Sequence, residues 1–169
     1  DHDVDVIPGV TGMTAVPEYA GLILHGHDVQ LIGDAACQRD IAGHGPDWSD
    51  QGLIVVHTSA GKLKEIVKHA VASGRSEDEP AALICHGATT QQITHTVTLG
   101  ALPQTAKTAR LDSAEPVHVA IGKVVEAPDR EQLDWYESKP LFGWNILIPR
   151  TRDHSSTLPS RLQSYGAHS

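Results

Sequence analysis

Three short turns in the sequence are rich in glycine and hydroxyl side chains, and each follows an apolar run that predicts a β-strand. They are Pro8-Gly9-Val10-Thr11-Gly12, His57-Thr58-Ser59-Ala60-Gly61 and Gly87-Ala88-Thr89-Thr90. Glycine lets the main chain approach a ligand closely, and turns at strand ends are favoured ligand positions in α/β proteins. The alternatives are a tight strand-to-helix crossover for the first turn and a plain hairpin for the third. The chemistry indicated is the binding of a nucleoside by main-chain groups.

Other arrangements that carry chemistry lack the required spacing. The chain has 11 histidines, but His25 and His27 are two residues apart, and Cys85 is adjacent to His86. Neither pair matches a zinc pattern, so we expect no metal site. Cys85 and His86 also make a poor nucleophile pair, because neighbours on a strand point to opposite faces. The turns match neither a P-loop nor a GxGxxG pattern. The catalytic residues therefore remain unknown from sequence.

Composition indicates a folded protein of ordinary size. The chain has 169 residues, of which 40% are hydrophobic, and this length fits one domain or one domain with a fragment. A formal net charge of -8 argues against nucleic acid as the main partner, because phosphate binding needs a basic surface. No apolar run approaches the ~20 residues of a membrane helix. Cys37 and Cys85 form no pattern, so we expect free thiols and a cytoplasmic protein.

The order of the apolar runs predicts an α/β fold with a mixed sheet of roughly five strands, flanked by helices. Strands are predicted at residues 28–34, 53–56, 81–85, 93–99 and 117–125. Helices are predicted from the Thr11 cap to Ala15, from Ser59 to Gly74, at 102–111 and at 129–138. Residues 35–50 have little periodicity and are predicted to form a loop.

The pattern changes at residue 139. A new apolar strand is predicted at 145–149, followed by a helix at 155–165, and neither has a predicted partner elsewhere in the chain. We therefore predict one domain at residues 1–138, with a linker and the beginning of another domain at 139–169. Since the chain lacks an initial Met and opens almost directly on a strand, we also expect that it begins within a longer protein.

Four segments together resemble the tetrapyrrole (corrin/porphyrin) methylases, most closely the uroporphyrinogen-III C-methyltransferase type. The first combines Pro8-Gly9-Val10-Thr11, Ala15-Val16-Pro17 and Tyr19-Ala20-Gly21; the others are 53–63, 87–99 and Ala120-Ile121-Gly122-Lys123-Val124-Val125. Their order and separations agree with the second half of that family, which is more specific than any one segment. Residues 139–166 resemble the junction with uroporphyrinogen-III synthase in fused bifunctional proteins.

The resemblance implies the second of two α/β domains, with S-adenosylmethionine bound in the cleft between them. It places Thr11, Gly12, Thr58 and Gly87 on the cofactor. The implied first domain, which carries the other half of the site, has no counterpart in this sequence. The implied reaction is C-methylation of a tetrapyrrole, uroporphyrinogen III to precorrin-2, in sirohaem or cobalamin biosynthesis. The resemblance also implies a homodimer.

Departures from the family pattern keep a second hypothesis open. Leu24-His25-Gly26-His27-Asp28 stands where the family has Leu-Thr-His-Arg-Asp, so His25 and His27 are the predicted substrate-binding residues. Arginine binds a substrate carboxylate bidentately, whereas neutral histidine cannot. Thr58-Ser59 replaces a Met-Gly turn, and no arginine follows the glutamine after Gly87. The second hypothesis is a degenerate, non-catalytic domain that serves as a dimerisation or scaffold module for the fused synthase. A third is an unrelated nucleoside-binding α/β module.

Overall fold

The computed structural model describes residues 9–34, 48, 52–126, 133–148 and 157–168. Five strands form one sheet, in the spatial order β1-β2-β5-β3-β4. They are β1 (Val29–Ile32), β2 (Leu53–Ser59), β3 (Pro80–Cys85), β4 (Ile93–Thr98) and β5 (Pro116–Ile121). β1 is parallel to β2, whereas β5 is antiparallel to β2 and β3, and β4 is antiparallel to β3. The predicted mixed sheet of five strands is confirmed.

The strand order brings several chain turns to one edge of the sheet. Because β1, β2 and β3 all run opposite to β5, they end where β5 begins. The register shows this directly: Thr58 near the end of β2 and Cys85 at the end of β3 both pair with Val117 near the start of β5. We call this side of the sheet the exit edge.

Two helices cover one face of the sheet. Helix α2 (Leu63–Ala72) buries Leu63, Ile66 and Ala70, and α3 (Leu102–Thr108) buries Leu102 and Ala106. The spacing of three and four residues places each set on one side of its helix. They pack with alternate residues of the central strands, namely Ile54, Val56, Leu83, Cys85, Val117, Val119 and Ile121. Both helices were predicted.

Helix α1 (Gly12–Tyr19) covers the opposite face, where Val16 and Ala20 pack on Val55 and Ile84. As predicted, Thr11 caps this helix, and its Oγ1 accepts a hydrogen bond from Met13 N–H at 3.3 Å. The helix continues beyond the predicted Ala15 through Pro17 to Tyr19. Proline removes one helical hydrogen bond, but buried contacts on both sides of it hold the last turn against the sheet.

The last strand is shorter than predicted. β5 ends at Ile121 instead of continuing to Val125, and Lys123–Glu126 forms a turn of 3₁₀ helix. The reason is Gly122, whose φ of +144° lies in a region that L side chains rarely adopt and turns the chain off the sheet. Val125 remains buried under α1, so its apolar character reflects burial and not strand structure.

The turn between α2 and β3 is fixed by a buried arginine. Arg75 is 4% exposed. Its Nε donates to Trp48 O at 2.8 Å, its Nη1 to Glu79 Oε1 at 2.6 Å and its Nη2 to Gly52 O at 3.1 Å. A buried guanidinium is stable only when its donors are satisfied, and this one connects three separate segments.

The C-terminal part differs most from the prediction. Residues 134–139 form turns instead of the end of a helix, and residues 129–132 of that predicted helix lie outside the described residues. In the predicted strand at 145–149, only Asn145 pairs, forming an isolated bridge with His168. His168 follows α4 (Thr157–Ser164), so the predicted strand pairs with the chain just after the helix. Pro8, most of the predicted loop at 35–50, and Pro149 also lie outside the described residues.

Candidate functional site

Two turns lie next to the start of β5 at the exit edge, one beginning at Ala60 and one after β3. The turn predicted from His57 was wrong in part, because β2 continues through Thr58 to Ser59. The turn after β2 is tied to the loop before β5, because Ala60 N–H donates to Glu115 O and Gly61 N–H to Ser113 O, both at 2.9 Å. The turn after β3 lies on the other side of β5, where His86 Nδ1 is 3.3 Å from Glu115 Oε1. Both turns thus border the same short stretch of main chain.

The beginning of α1 adds the third turn. Thr11 and Gly12 are exposed, and a Cβ built on Gly12 would lie 3.4 Å from Nε2 of His118 on β5. The first turn of a helix leaves main-chain N–H groups without an intrahelical partner and carries a partial positive charge. Here the N–H groups of Met13, Thr14 and Ala15 all donate to Thr11, so Gly12 is the residue of this turn that brings main chain to His118.

Two histidines form the floor beneath Gly12. His57 on β2 and His118 on β5 are directly paired in the sheet, and their ring centroids are 4.6 Å apart. Burial, followed by the charge of His57, lowers the pKa of His118 from 6.5 to about 4. His118 is therefore neutral at physiological pH. Sequence analysis did not predict this pair. Alternation along a strand predicts the face on which each histidine lies, but it does not predict that β5 lies beside β2.

The turn after β3, which we call the β3–β4 loop (residues 86–92), has an uncommon backbone. His86 and Ala88 have φ values of +50° and +59°, on either side of Gly87. Non-glycine residues adopt positive φ rarely, and such positions concentrate at functional sites. The loop is closed by hydrogen bonds: Thr89 Oγ1 donates to His86 O at 2.6 Å, and Ala88 N–H donates to Gln92 Oε1 at 2.7 Å.

Gly87 has a packing reason to be glycine. A Cβ at this position would lie 2.4 Å from Cγ1 of Val16 on α1, far inside normal contact distance. Gly87 therefore allows α1 to lie directly on the β3–β4 loop. This contact joins the loop and the beginning of α1 into one wall on the same face of the sheet.

The Thr58 side chain lies on the other face. It is 2% exposed, and its Oγ1 donates to Asp34 Oδ1 at 3.3 Å. Lys62 Nζ lies 2.6 Å from the same Asp34 oxygen, and that hydrogen bond is the main reason why the pKa of Asp34 is lowered. Only the main chain of Thr58 can therefore face the side on which Gly12 lies.

The predicted substrate residues lie at the opposite end of α1. Both His25 and His27 are exposed and follow Gly21, which ends the helix with a φ of +74°. An eight-residue helix is about 12 Å long, so this position is remote from Gly12. His25 lines a cavity of about 240 Å³ with residues from the end of α1 and from Leu133 and Trp135.

The structure thus brings Thr11, Gly12 and Gly87 together on one face and places the Thr58 main chain at the same edge. It does not bring His25 and His27 to them. Their roles in binding remain predictions. Among the described residues, no group of three His, Cys, Asp or Glu side chains is arranged to hold a metal ion. Within the same residues, no helix combines the length and apolar character needed to cross a membrane.

Comparison with known proteins adds independent information. Residues 1–103 match the family model described as Tetrapyrrole (Corrin/Porphyrin) Methylases. The porphyrin biosynthesis protein HemD of Ruminiclostridium josui is 28% identical over 174 residues, which cover 96% of this chain and 33% of that protein. A siroheme synthase of Stutzerimonas stutzeri is 32% identical over 82% of this chain and 30% of its own length. A uroporphyrinogen-III C-methyltransferase of a Sinorhizobium species is 31% identical over 80% of this chain and 50% of its own. The chain thus spans about a third of the first two relatives.

Solved structures show the same fold. The cobalt precorrin-4 methyltransferase CbiF superposes with a TM-score of 0.58 and 19% identity, over 73% of this chain and 53% of that one. The uroporphyrin-III C-methyltransferase of Thermus thermophilus, in complex with S-adenosylhomocysteine, gives a TM-score of 0.52 and 23% identity over 72% of this chain and 51% of that one. The likeness covers about half of each enzyme and establishes the fold.

Proposed function

Because this chain belongs to the tetrapyrrole (corrin/porphyrin) methylases, we propose that it supplies half of a site for S-adenosylmethionine-dependent C-methylation of a tetrapyrrole. The substrate we propose is uroporphyrinogen III, converted to a product of the precorrin-2 type. Its named relatives include a siroheme synthase and a uroporphyrinogen-III C-methyltransferase. The other half of the site belongs to a domain without a counterpart in this chain.

The main support is the meeting of Gly12, Gly87 and the Thr58 main chain at the exit edge. A Cβ built on Gly12 would lie 3.4 Å from Nε2 of His118, and Gly87 allows α1 to rest on the β3–β4 loop. The resulting wall presents main chain and hydroxyl groups, which suit the ribose and base of a nucleoside. The turns that form this wall match neither of the phosphate-binding patterns, the P-loop and GxGxxG. This agrees with a nucleoside that carries no phosphate.

A neutral His118 avoids one positive charge beside the proposed cofactor, because its pKa is about 4. A fixed positive charge at the centre of the wall would repel the sulfonium. When bound, S-adenosylmethionine supplies a methyl group to a nucleophilic ring carbon, and the chain's own contribution is positioning. The group that accepts the proton from the methylated ring remains unassigned.

Titration calorimetry with S-adenosylhomocysteine tests the proposal. We expect the full-length protein to bind it in a one-to-one ratio per chain, and this chain alone to bind far more weakly, because it supplies only one wall. Absence of binding by the full-length protein would refute a cofactor site. Equal affinity of this chain and the full-length protein would instead refute the half-site.

A scaffold role is the second candidate, and the position of Thr58 and His25 favours it. The Thr58 hydroxyl is used by Asp34, and His25 lies at the far end of α1 from Gly12. A domain that had lost catalysis would retain its fold and still hold a partner copy or an attached synthase. Complementation of a methylase-deficient strain by the full-length protein would eliminate this role.

We also propose that residues 139–169 begin an attached uroporphyrinogen-III synthase domain. The support is the Ruminiclostridium relative, whose similarity extends over 96% of this chain, compared with 82% for the Stutzerimonas siroheme synthase. The bridge between Asn145 and His168 is consistent with a unit that begins after residue 139. The reading frame of the native gene tests this proposal, and a stop shortly after residue 169 would refute it.

A further inference from the structure

A buried polar side chain holds the β3–β4 loop in its uncommon conformation. Gln92 is 1% exposed, among the lowest values of any polar residue described. Its Oε1 accepts the hydrogen bond from Ala88 N–H at 2.7 Å, and its Nε2 donates to Glu137 Oε1 at 2.9 Å. The same Glu137 oxygen accepts from Thr94 Oγ1 at 2.6 Å. Hydrogen bonds from a buried side chain at both its acceptor and its donor favour one local structure.

The β3–β4 loop needs such support because two of its residues have backbone φ angles that their residue types rarely adopt. His86 and Ala88, on either side of Gly87, are both held at positive φ. A backbone of this kind persists only where its surroundings determine it. The hydrogen bond to Ala88 acts on one of the two strained residues directly.

The partner of Gln92 comes from a segment that also contacts α1. We call residues 133–142 the bracing segment. Within it, Tyr136 and Trp135 contact the Tyr19 ring, with centroids 4.5 and 5.0 Å apart. A Cβ on Gly21 would lie 3.0 Å from the main-chain oxygen of Leu133. The bracing segment therefore touches both parts of the proposed cofactor wall, α1 through Tyr19 and the β3–β4 loop through Gln92.

We propose that Gln92 and Glu137 are positioning residues, which fix the β3–β4 loop against the bracing segment so that cofactor affinity depends on their hydrogen bond. This inference rests on the proposed function, since it concerns the same wall. It adds that Glu137, which lies outside residues 1–103 of the family match, takes part in controlling that wall. Neither side chain needs to contact the cofactor.

Exchange of the two side-chain types tests the proposal in the full-length protein. Q92E keeps an acceptor for Ala88 N–H but replaces the donor to Glu137 with a second carboxylate, and two adjacent carboxylates resist joint ionisation. We expect Q92E to weaken S-adenosylhomocysteine binding at least about ten-fold, because a buried pair is lost. The double variant Q92E/E137Q restores one donor and one acceptor in reversed order, and we expect it to recover most of the affinity.

Q104E is the matched control, because it places the same charge on an exposed residue of α3, which covers the other face of the sheet. We expect it to bind like the wild type. Calorimetry is done well below every variant's unfolding temperature, where a purely structural loss of stability leaves the affinity of the folded protein unchanged. Hydrogen exchange at residues 86–90, which needs no ligand, should be faster in Q92E and return to the wild-type rate in the double variant.

The outcomes separate the two proposals. If the wild type binds and Q92E binds equally well, or if the double variant fails to recover, the positioning role is refuted and the cofactor site stands. A loss of affinity in Q104E as large as in Q92E would attribute the effect to charge and would also refute the role. Failure of the wild type to bind would refute the cofactor site and this inference together.

Discussion

The contact between Gly87 and Val16 leads to a quantitative prediction. A Cβ at residue 87 would lie 2.4 Å from Val16 Cγ1 and 2.7 Å from its Cγ2. Since carbon atoms pack at about 3.5–4.0 Å, Gly87→Ala requires α1 and the β3–β4 loop to separate by roughly 1 Å. Overpacking of this kind costs about 1–3 kcal/mol, and we expect about 2–3 kcal/mol because Val16 is buried and cannot turn aside.

Val16→Ala supplies the second arm of a double-mutant cycle. Alone it removes two buried methyl groups, at a cost of about 2 kcal/mol. In the double variant, the new methyl group at residue 87 occupies space that the valine has vacated. We therefore expect the double variant to lose about 2 kcal/mol, against about 4–5 kcal/mol for independent changes, a coupling of at least about 2 kcal/mol.

Urea unfolding followed by tryptophan fluorescence measures all three variants. Gly33→Ala is the matched control, because a Cβ there meets nothing within 4 Å and its φ is not in the left-handed region. We expect this control to stay within about 0.5 kcal/mol of the wild type. The reasoning fails if the two changes prove additive within about 0.5 kcal/mol, or if Gly87→Ala costs no more than Gly33→Ala.

Three further predictions concern buried titratable groups. The pKa of His118 is lowered from 6.5 to about 4, mainly by burial and then by His57, so the unfolded state binds a proton that the folded state does not. Stability should therefore fall as the pH drops from 6.5 to 4, by at most about 3 kcal/mol before solvent screening, and His118→Leu should reduce this slope in urea titrations. Arg75→Lys should cost about 2–4 kcal/mol, because one ammonium cannot replace all three donors, whereas the exposed control Arg110→Lys should cost under about 0.5 kcal/mol in the same assay. Burial raises the pKa of the Cys85 thiol to about 11, so iodoacetamide should alkylate it only after unfolding; mass spectrometry of its peptide would contradict this if the native protein is labelled.

Local sequence patterns were sufficient for most of the core. In α2, Leu63, Ile66 and Ala70 recur at helical spacing, and all three are buried. The continuous apolar run in β2 predicted a strand covered on both faces, and residues 53 to 56 are buried in alternation under α1 and under the other two helices. Such elements are predictable because the spacing of apolar residues along a short segment indicates which of them are buried.

Contacts that depend on strand order were not predictable. β5 is the last strand of the sheet in the chain, yet it lies between β2 and β3. Only that insertion pairs His57 with His118 and brings Glu115 next to His86. The pair of Gln92 with Glu137 joins residues 45 positions apart, and the helix predicted for the segment of Glu137 is not found at residues 134–138. No local pattern contains this information.

Gly87 and Thr58 show how far a motif determines the role of a side chain. Thr58 lies near the end of β2 and Gly87 follows β3, and both lie at the exit edge. Alternation along β2 requires that Thr58 point away from the face of its neighbour His57, and the structure directs its hydroxyl to Asp34. Glycine is required both where the main chain approaches a ligand closely and where a helix packs directly on it, and the sequence alone does not distinguish the two. At Gly87 the observed neighbour is Val16. The motif therefore predicts the path of the main chain, because the fold depends on that path. It does not predict the side-chain contacts, because these depend on which helix covers which face of the sheet. For this reason the binding experiments above alter the support of the β3–β4 loop and not its glycine.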